Sequence, residues 1–244
     1  MAGSACFIPL ESNPEVFNKI IHDIGVMPYV EFRDVYSISE PSILATLPRP
    51  VLALILVGPT DMVGRGEEPE PGQHASTPEY AKAGDQEDIF WFKQTIRNAC
   101  GLYAILHSVA NGVDADFVYK ESVLDKLLTT CRPLLPNERA RAVETCEGLE
   151  RAYTSTARSH EQSSVPRNLG DLGNHYLCLT KSRKTGHLYQ VSASRKDGPV
   201  DMGPVHEHED VLGPHGTAIV QNYLDAAKGD PNAVFSLIAL VPTS

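Results

Sequence analysis

Lys93-Gln-Thr-Ile-Arg-Asn-Ala-Cys-Gly-Leu-Tyr-Ala-Ile-Leu-His-Ser108 (KQTIRNACGLYAILHS) is the stretch on which the reading of this chain turns. Leu102, Ile105, Leu106 and Val109 recur at helical spacing and predict a helix with one buried face. Asn98 is a suitable N-cap for it, and Asn111-Gly112 a suitable stop. Cys100 then falls in the first turn, where unpaired backbone N–H groups and the helix dipole favour negative charge. The expectation is a thiol of lowered pKa and raised reactive fraction. The same N–H groups suit an oxyanion, and Gln94 brings a side-chain amide as a further donor. On spacing alone, a packed core thiol at Cys100 and a surface glutamine at position 94 stay open as well.

A thiol nucleophile needs a base, most often histidine. Of the nine histidines, His107 sits on the same helix and points away from its start. His206 and His208, in HEHED, read as a solvated acidic loop, and no metal is expected there without further ligands. His175 is the candidate. It opens the strand HYLCLT at the end of a long polar segment, where a side chain can face a cleft. With KSRKTG (181–186) as a hairpin loop, Thr180 pairs with His187, and Ser192 comes to lie opposite His175. Directly opposed residues share a face, with Cβ atoms roughly 5 Å apart. A nucleophile–base–orienter triad needs its third member at that place, and the sequence offers a serine where an aspartate or asparagine is expected.

Composition bounds the rest. A chain of 244 residues with 42% hydrophobic and 21% charged residues is long and apolar enough for one sizeable core. A formal net charge of −10 speaks against general nucleic-acid binding, which wants a basic face. The start, MAGSACFIPLESNPEV, lacks the basic and apolar regions of a secretory signal. The longest purely apolar run, Val51 to Val57, is too short for a membrane span and reads as a buried strand. Five cysteines, odd in number and without a CxxC pair, fit a reducing compartment.

Along the chain, Asn13-Pro14-Glu15 starts a helix that Gly25 ends. Val30–Val35 and Val51–Val57 read as strands. Residues 60–86, rich in Gly, Pro and charge, read as a surface loop. Helical patterns cover 120–131 and 137–153, and Thr154–Gly173 reads as a long loop. Strands follow at His175–Thr180 and His187–Ala193, then a helix over Thr217–Lys228 and a last strand at Ser236–Val241. Helices and strands mix without regular βαβ alternation, which favours an α/β protein with a largely antiparallel sheet.

With these segments in order, the chain resembles the ubiquitin carboxyl-terminal hydrolases of the small single-domain type, in the papain-like clan of cysteine peptidases. FIPLESNPEVFNKIIHDIG, DVYSI, LPRPVLALILVGP, FKQTIRNACGLYAILHSVANG, PNERARAVE, SHEQSS, NHYLCL and HLYQV resemble successive family blocks, and QTIRNACG carries the most specific signature. The resemblance implies an α-β-α papain-like fold with a central antiparallel sheet flanked by helices and a knotted chain path, in a single catalytic domain over 1–244. It implies a thiol hydrolase that cleaves ester, thioester, amide or peptide bonds at the C-terminal glycine of ubiquitin or a ubiquitin-like protein, with small or unfolded leaving groups. Cys100 would be the nucleophile, His175 the general base and acid, and Gln94 the oxyanion stabiliser. The loop from Thr154 to Asn168 would cross over the active site, and Glu11, Glu15 and Asp34 would face the basic tail of ubiquitin. A cytoplasmic monomer is expected, with no cofactor, metal, membrane or nucleic acid involved. One position departs from the pattern. The family motif LYELDG supplies the triad aspartate, and here Ser192 holds its place, with Asp197 five residues beyond. The alternative that this leaves is a weakly active or inactive ubiquitin-binding paralogue.

Overall fold

The computed structural model describes residues 6–60, 63, 78–160 and 174–243. A six-stranded sheet runs through the molecule in the order β1-β6-β2-β3-β4-β5, every neighbouring pair antiparallel. The strands are β1 (Val30–Asp34), β2 (Ala53–Pro59), β3 (Asn174–Lys181), β4 (His187–Val191), β5 (Val200–Pro204) and β6 (Ser236–Pro242). β2 shows why the sheet lies inside. Its Ala53, Ile55 and Val57 enter one core, and Leu54 and Leu56 the other. A strand buried on both faces reads as an unbroken apolar run, as Val51–Val57 does.

Helices cover both faces. α1 (Pro14–Ile24), α3 (Cys100–Gly112), α4 (Val123–Cys131) and α6 (Glu147–His160) contribute to the first core, and α2 (Pro41–Leu44) and α7 (Pro214–Ala226) to the second. α5 (Pro136–Glu144) packs beside α4. α1 behaves as its sequence dictates: the Asn13 side chain accepts from the Glu15 N–H, and Gly25 closes the helix at φ 111°. No helix among the described residues is long and apolar enough to cross a membrane.

Several elements differ from the sequence reading. α3 is buried nearly all round from Gly101 to Val109, because it runs between α1 and the sheet instead of lying on a surface. The pattern over 137–153 is two helices, α5 and α6, and α6 continues to His160 where a loop was expected. The remainder of the expected crossover segment, 161–168, lies outside the described residues. So does most of the 60–86 loop, but 78–86 is packed: Tyr80 sets its ring edge against Trp91 at 5.4 Å, and its N–H donates to Lys196 O. The short α2 and edge strand β5 carry too little periodicity to be read from sequence. The β3–β4 ladder pairs Thr180 with Tyr189, two residues along from the expected register. The hairpin is longer by a pair because Ser182 N–H still bonds His187 O at 2.8 Å beyond the ladder. A shift of two residues leaves side chains on the same face.

Candidate active site

The loop before α3 is tied down from two sides. Trp91 Nε1 donates to Ser192 O at 3.0 Å, and Gln94 N–H donates to Ala193 O at 2.9 Å. Behind them, the fully buried guanidinium of Arg139 pairs with Glu87 and donates to Trp91 O at 3.0 Å. Segment 91–94 therefore fixes the chain at 192–193, and the start of α3 follows from it.

That start carries no side-chain cap. The cap position is Ala99, not Asn98. Asn98 takes a left-handed conformation, φ 60°, and its amide donates to Cys6 Sγ at 3.5 Å. With no capping oxygen in the way, the first-turn donors stay available. Cys100 is the first residue of the helix, and its sulfur meets the N–H groups of Cys100, Gly101 and Tyr176. Those donors lower the thiol pKa as expected of a helix start. Burial outweighs them and holds it above the ordinary value. The expected depressed thiol is thus corrected: enclosure by the core costs the charged form more than the N–H groups return.

Two buried tyrosines stand near enough to Cys100 to feel its charge. Tyr176 OH donates to Leu10 O at 2.8 Å, and Tyr153 OH donates to Ile8 O. Both phenols are pushed up by burial first, then by the charge of Cys100. Glu11 adds to the effect at Tyr176, which sets this carboxylate near that ring. Glu15 lies exposed in the first turn of α1. Asp34 ends β1 and accepts from Tyr36 OH at 3.3 Å.

His175 follows Asn174 at the start of β3, next in sequence to the Tyr176 N–H that reaches Cys100. It is 8% exposed, and burial lowers its pKa. Its Nε2 lies 2.9 Å from Ser192 Oγ and 3.3 Å from Ser194 Oγ, and the two hydroxyls are 2.9 Å apart. The shifted register thus adds Ser194 beside Ser192 rather than exchanging one for the other. Asp197 is engaged elsewhere, in an ion pair with Arg195. Gln94 Nε2 donates to Ile96 O at 3.0 Å, while its Oε1 is buried with no hydrogen-bond partner among the described residues. The amide has a second N–H beyond the one given to Ile96.

The sequence reading missed three contributors: the Tyr176 N–H, the Trp91 indole and Ser194. The Ser-Ala-Ser spacing, with two hydroxyls on one face, was the only signal for the last. His206 and His208 sit with rings 5.7 Å apart in a loop whose carbonyls bind Lys181. Among the described residues, no group of three or more His, Cys, Asp or Glu side chains gathers as a metal site. A cleft of about 690 Å³ opens at the far end of α3, by Asn111 and Gly112. It is roughly 18 Å along the helix from Cys100, and its Arg183 is already tied to Gly112 O and Asp114.

Comparison with known proteins agrees over most of the chain. Ubiquitin carboxyl-terminal hydrolase, family 1, matches residues 7–225. A ubiquitin carboxyl-terminal hydrolase of Drosophila melanogaster is 33% identical over 233 residues, covering 95% of this chain and 96% of its own. Ubiquitin carboxyl-terminal hydrolase YUH1 of Saccharomyces cerevisiae is 32% identical over 199 residues, covering 80% and 78%. Among solved structures, the Trichinella spiralis UCH37 catalytic domain bound to ubiquitin vinyl methyl ester superposes with a TM-score of 0.70 at 16% identity, over 99% of this chain and 97% of that one. At that identity the likeness concerns the fold.

Proposed function

The chain belongs to family 1 of the ubiquitin carboxyl-terminal hydrolases, and from that premise we propose that Cys100, His175 and Gln94 carry a thiol-dependent hydrolysis after the C-terminal glycine of ubiquitin or a ubiquitin-like protein. The observation that carries the assignment is the convergence of the Cys100, Gly101 and Tyr176 N–H groups on one sulfur at an uncapped helix start. Donors that reach the sulfur also suit the oxyanion that forms beside it. Because the thiol is held high and the imidazole low, the resting pair is neutral, and His175 acts as a general base. Nε2 is occupied by Ser192, so the proton from Sγ passes to Nδ1. The sulfur attacks the glycine carbonyl. Gln94 uses its second N–H on the oxyanion, and the imidazolium returns its proton to the departing amine or alkoxide. The thioester then takes a water activated by the same nitrogen.

The inactive-paralogue reading rested on Ser192. Its hydroxyl sits at hydrogen-bond distance from the base, which favours a working site with a neutral orienter. Glu11, Glu15 and Asp34 form an acidic rim for a basic C-terminal tail. We take the protein to act as a cytoplasmic monomer, one catalytic domain over its length, on small or unfolded leaving groups. Turnover of ubiquitin carrying a fluorogenic C-terminal amide tests the proposal: steady hydrolysis that Cys100→Ala abolishes is expected, and undiminished hydrolysis by that variant would end the assignment.

A further inference from the structure

We propose that Ser194 is a positioning residue that sets the tautomer of His175, so that two serines in series do what one carboxylate does by charge. The inference rests on His175 being the base of the proposed hydrolysis. It starts from the geometry of three atoms: Nε2 to Ser192 Oγ at 2.9 Å, Ser192 Oγ to Ser194 Oγ at 2.9 Å, and Nε2 to Ser194 Oγ at 3.3 Å.

A carboxylate can only accept, so beside a histidine nitrogen it leaves no choice: that nitrogen carries the proton. A hydroxyl both donates and accepts. Alone beside Nε2, it is free to donate into the ring, which leaves the proton on Nδ1. An imidazole with Nδ1–H cannot take the thiol proton at Nδ1. Ser192 is 2% exposed, and among the described residues its Oγ has two partners, His175 Nε2 and Ser194 Oγ. Its hydrogen must therefore go to one or the other. Ser194 is exposed, so its own hydrogen can go to water, and its oxygen can accept from Ser192. The ordered chain is Nε2–H to Ser192, Ser192 O–H to Ser194, and Ser194 O–H to solvent. In that arrangement Nδ1 holds a lone pair. The catalytic proton leaves Sγ and lands on Nδ1, and no other bond in the relay breaks.

Segment 91–94 holds the relay in place. The Trp91 indole fixes Ser192 O and the Gln94 N–H fixes Ala193 O, so the backbone between the two serines is clamped from outside. The wrong tautomer is costly in enzymes of this logic: about 10⁴ in kcat where a serine protease's aspartate becomes asparagine. A thiol demands less of its base, and at least about a tenfold loss of kcat/KM is expected here on removing Ser194.

The test pairs two measurements. The imidazole ¹⁵N spectrum of the free protein reads which ring nitrogen of His175 bears the proton, without substrate. Wild type is expected to show Nε2–H, Ser194→Ala a shift toward Nδ1–H with kcat/KM down at least about tenfold, and Ser194→Thr, which keeps the hydroxyl, the wild-type spectrum and a rate within about threefold. A wild-type His175 protonated on Nδ1 overturns the inference, and this holds even if Ser194→Ala fails to fold. So does a folded Ser194→Ala that keeps Nε2–H and its rate. If wild type instead fails to cleave ubiquitin substrates, the functional proposal falls, while the spectrum still decides how Ser194 acts on the ring.

Discussion

Replacing Ser192 by aspartate restores the carboxylate that the family pattern places there, and the site allows the effect to be sized. Ser192 and His175 are 2% and 8% exposed, and their polar atoms stand 2.9 Å apart. A carboxylate about 4 Å from the centre of an imidazolium, at an effective dielectric of about 20, is attracted by ~4 kcal/mol. Burying that carboxylate costs several kcal/mol, partly recovered through hydrogen bonds from Nε2–H and the Ser194 hydroxyl. A net gain of at least about 1.4 kcal/mol in the transition state is expected, which is tenfold in kcat/KM. The pH profile should move as well. In wild type the acid limb reports the proton on His175, whose pKa burial holds below its ordinary 6.5. The basic limb reports Cys100, held above its ordinary 9.0. Aspartate stabilises the imidazolium, raises the His175 pKa and shifts the acid limb to higher pH. The gain is therefore smallest at the acid end of the range and grows as pH rises. The assay is kcat/KM on ubiquitin with a fluorogenic C-terminal leaving group from pH 5 to 9. An aspartate variant no faster than wild type, with its acid limb unmoved, would refute the role given to position 192.

Gln94→Ala should lower kcat by roughly 10²-fold with little change in ubiquitin affinity, as for losing one oxyanion donor; an unchanged kcat would remove Gln94 from the mechanism. Affinity for ubiquitin should weaken as salt is raised if Glu11, Glu15 and Asp34, which are partly or fully exposed, form the proposed rim; calorimetry at low and high ionic strength that gave equal affinities would count against it. His107 is a stability probe. It is buried, accepts from the Phe92 N–H at 3.0 Å, and burial pushes its pKa down to about 3. The unfolded chain therefore binds a proton below pH 6.5 that the folded chain refuses, and stability falls as pH drops through that window by up to ~1.4 kcal/mol per unit. Urea unfolding of His107→Gln should show a correspondingly flatter acid dependence than wild type, and parallel curves would contradict this account.

How much of this was legible beforehand follows from what each residue needs around it. β2 and β6 were visible because strands buried on both faces read as near-continuous apolar runs, and α1 because Asn13-Pro14 and Gly25 mark its ends in the local chain. Cys100 at the start of α3 and His175 at the start of β3 lie where helical spacing and the strand reading put them. The rest depends on tertiary neighbours. The pKa of Cys100 is held up by burial in the fold, which no first-turn argument contains. Asn98 looked like a cap and instead turns out of the helix at φ 60° toward Cys6, from the far N-terminal segment. Ser194 became visible only with the β3–β4 register, which a loop count misplaced by one pair. α6 runs on to His160 through a polar sequence because Tyr153 and Ala157 anchor it in the core. A hydrophilic stretch was read as loop where tertiary contacts decide.

The central claim is that Cys100, at an uncapped helix start, is the reactive thiol. Its competitors are Cys131 and Cys178, buried with thiols pushed up to about 11 and about 12, the exposed Cys6, and Cys146. Incubating the protein with ubiquitin bearing a C-terminal electrophile and mapping the adduct by mass spectrometry separates them. A single adduct on Cys100, lost in Cys100→Ala, is the result expected; an adduct on Cys6, Cys131, Cys146 or Cys178, or no adduct at all, would contradict the account.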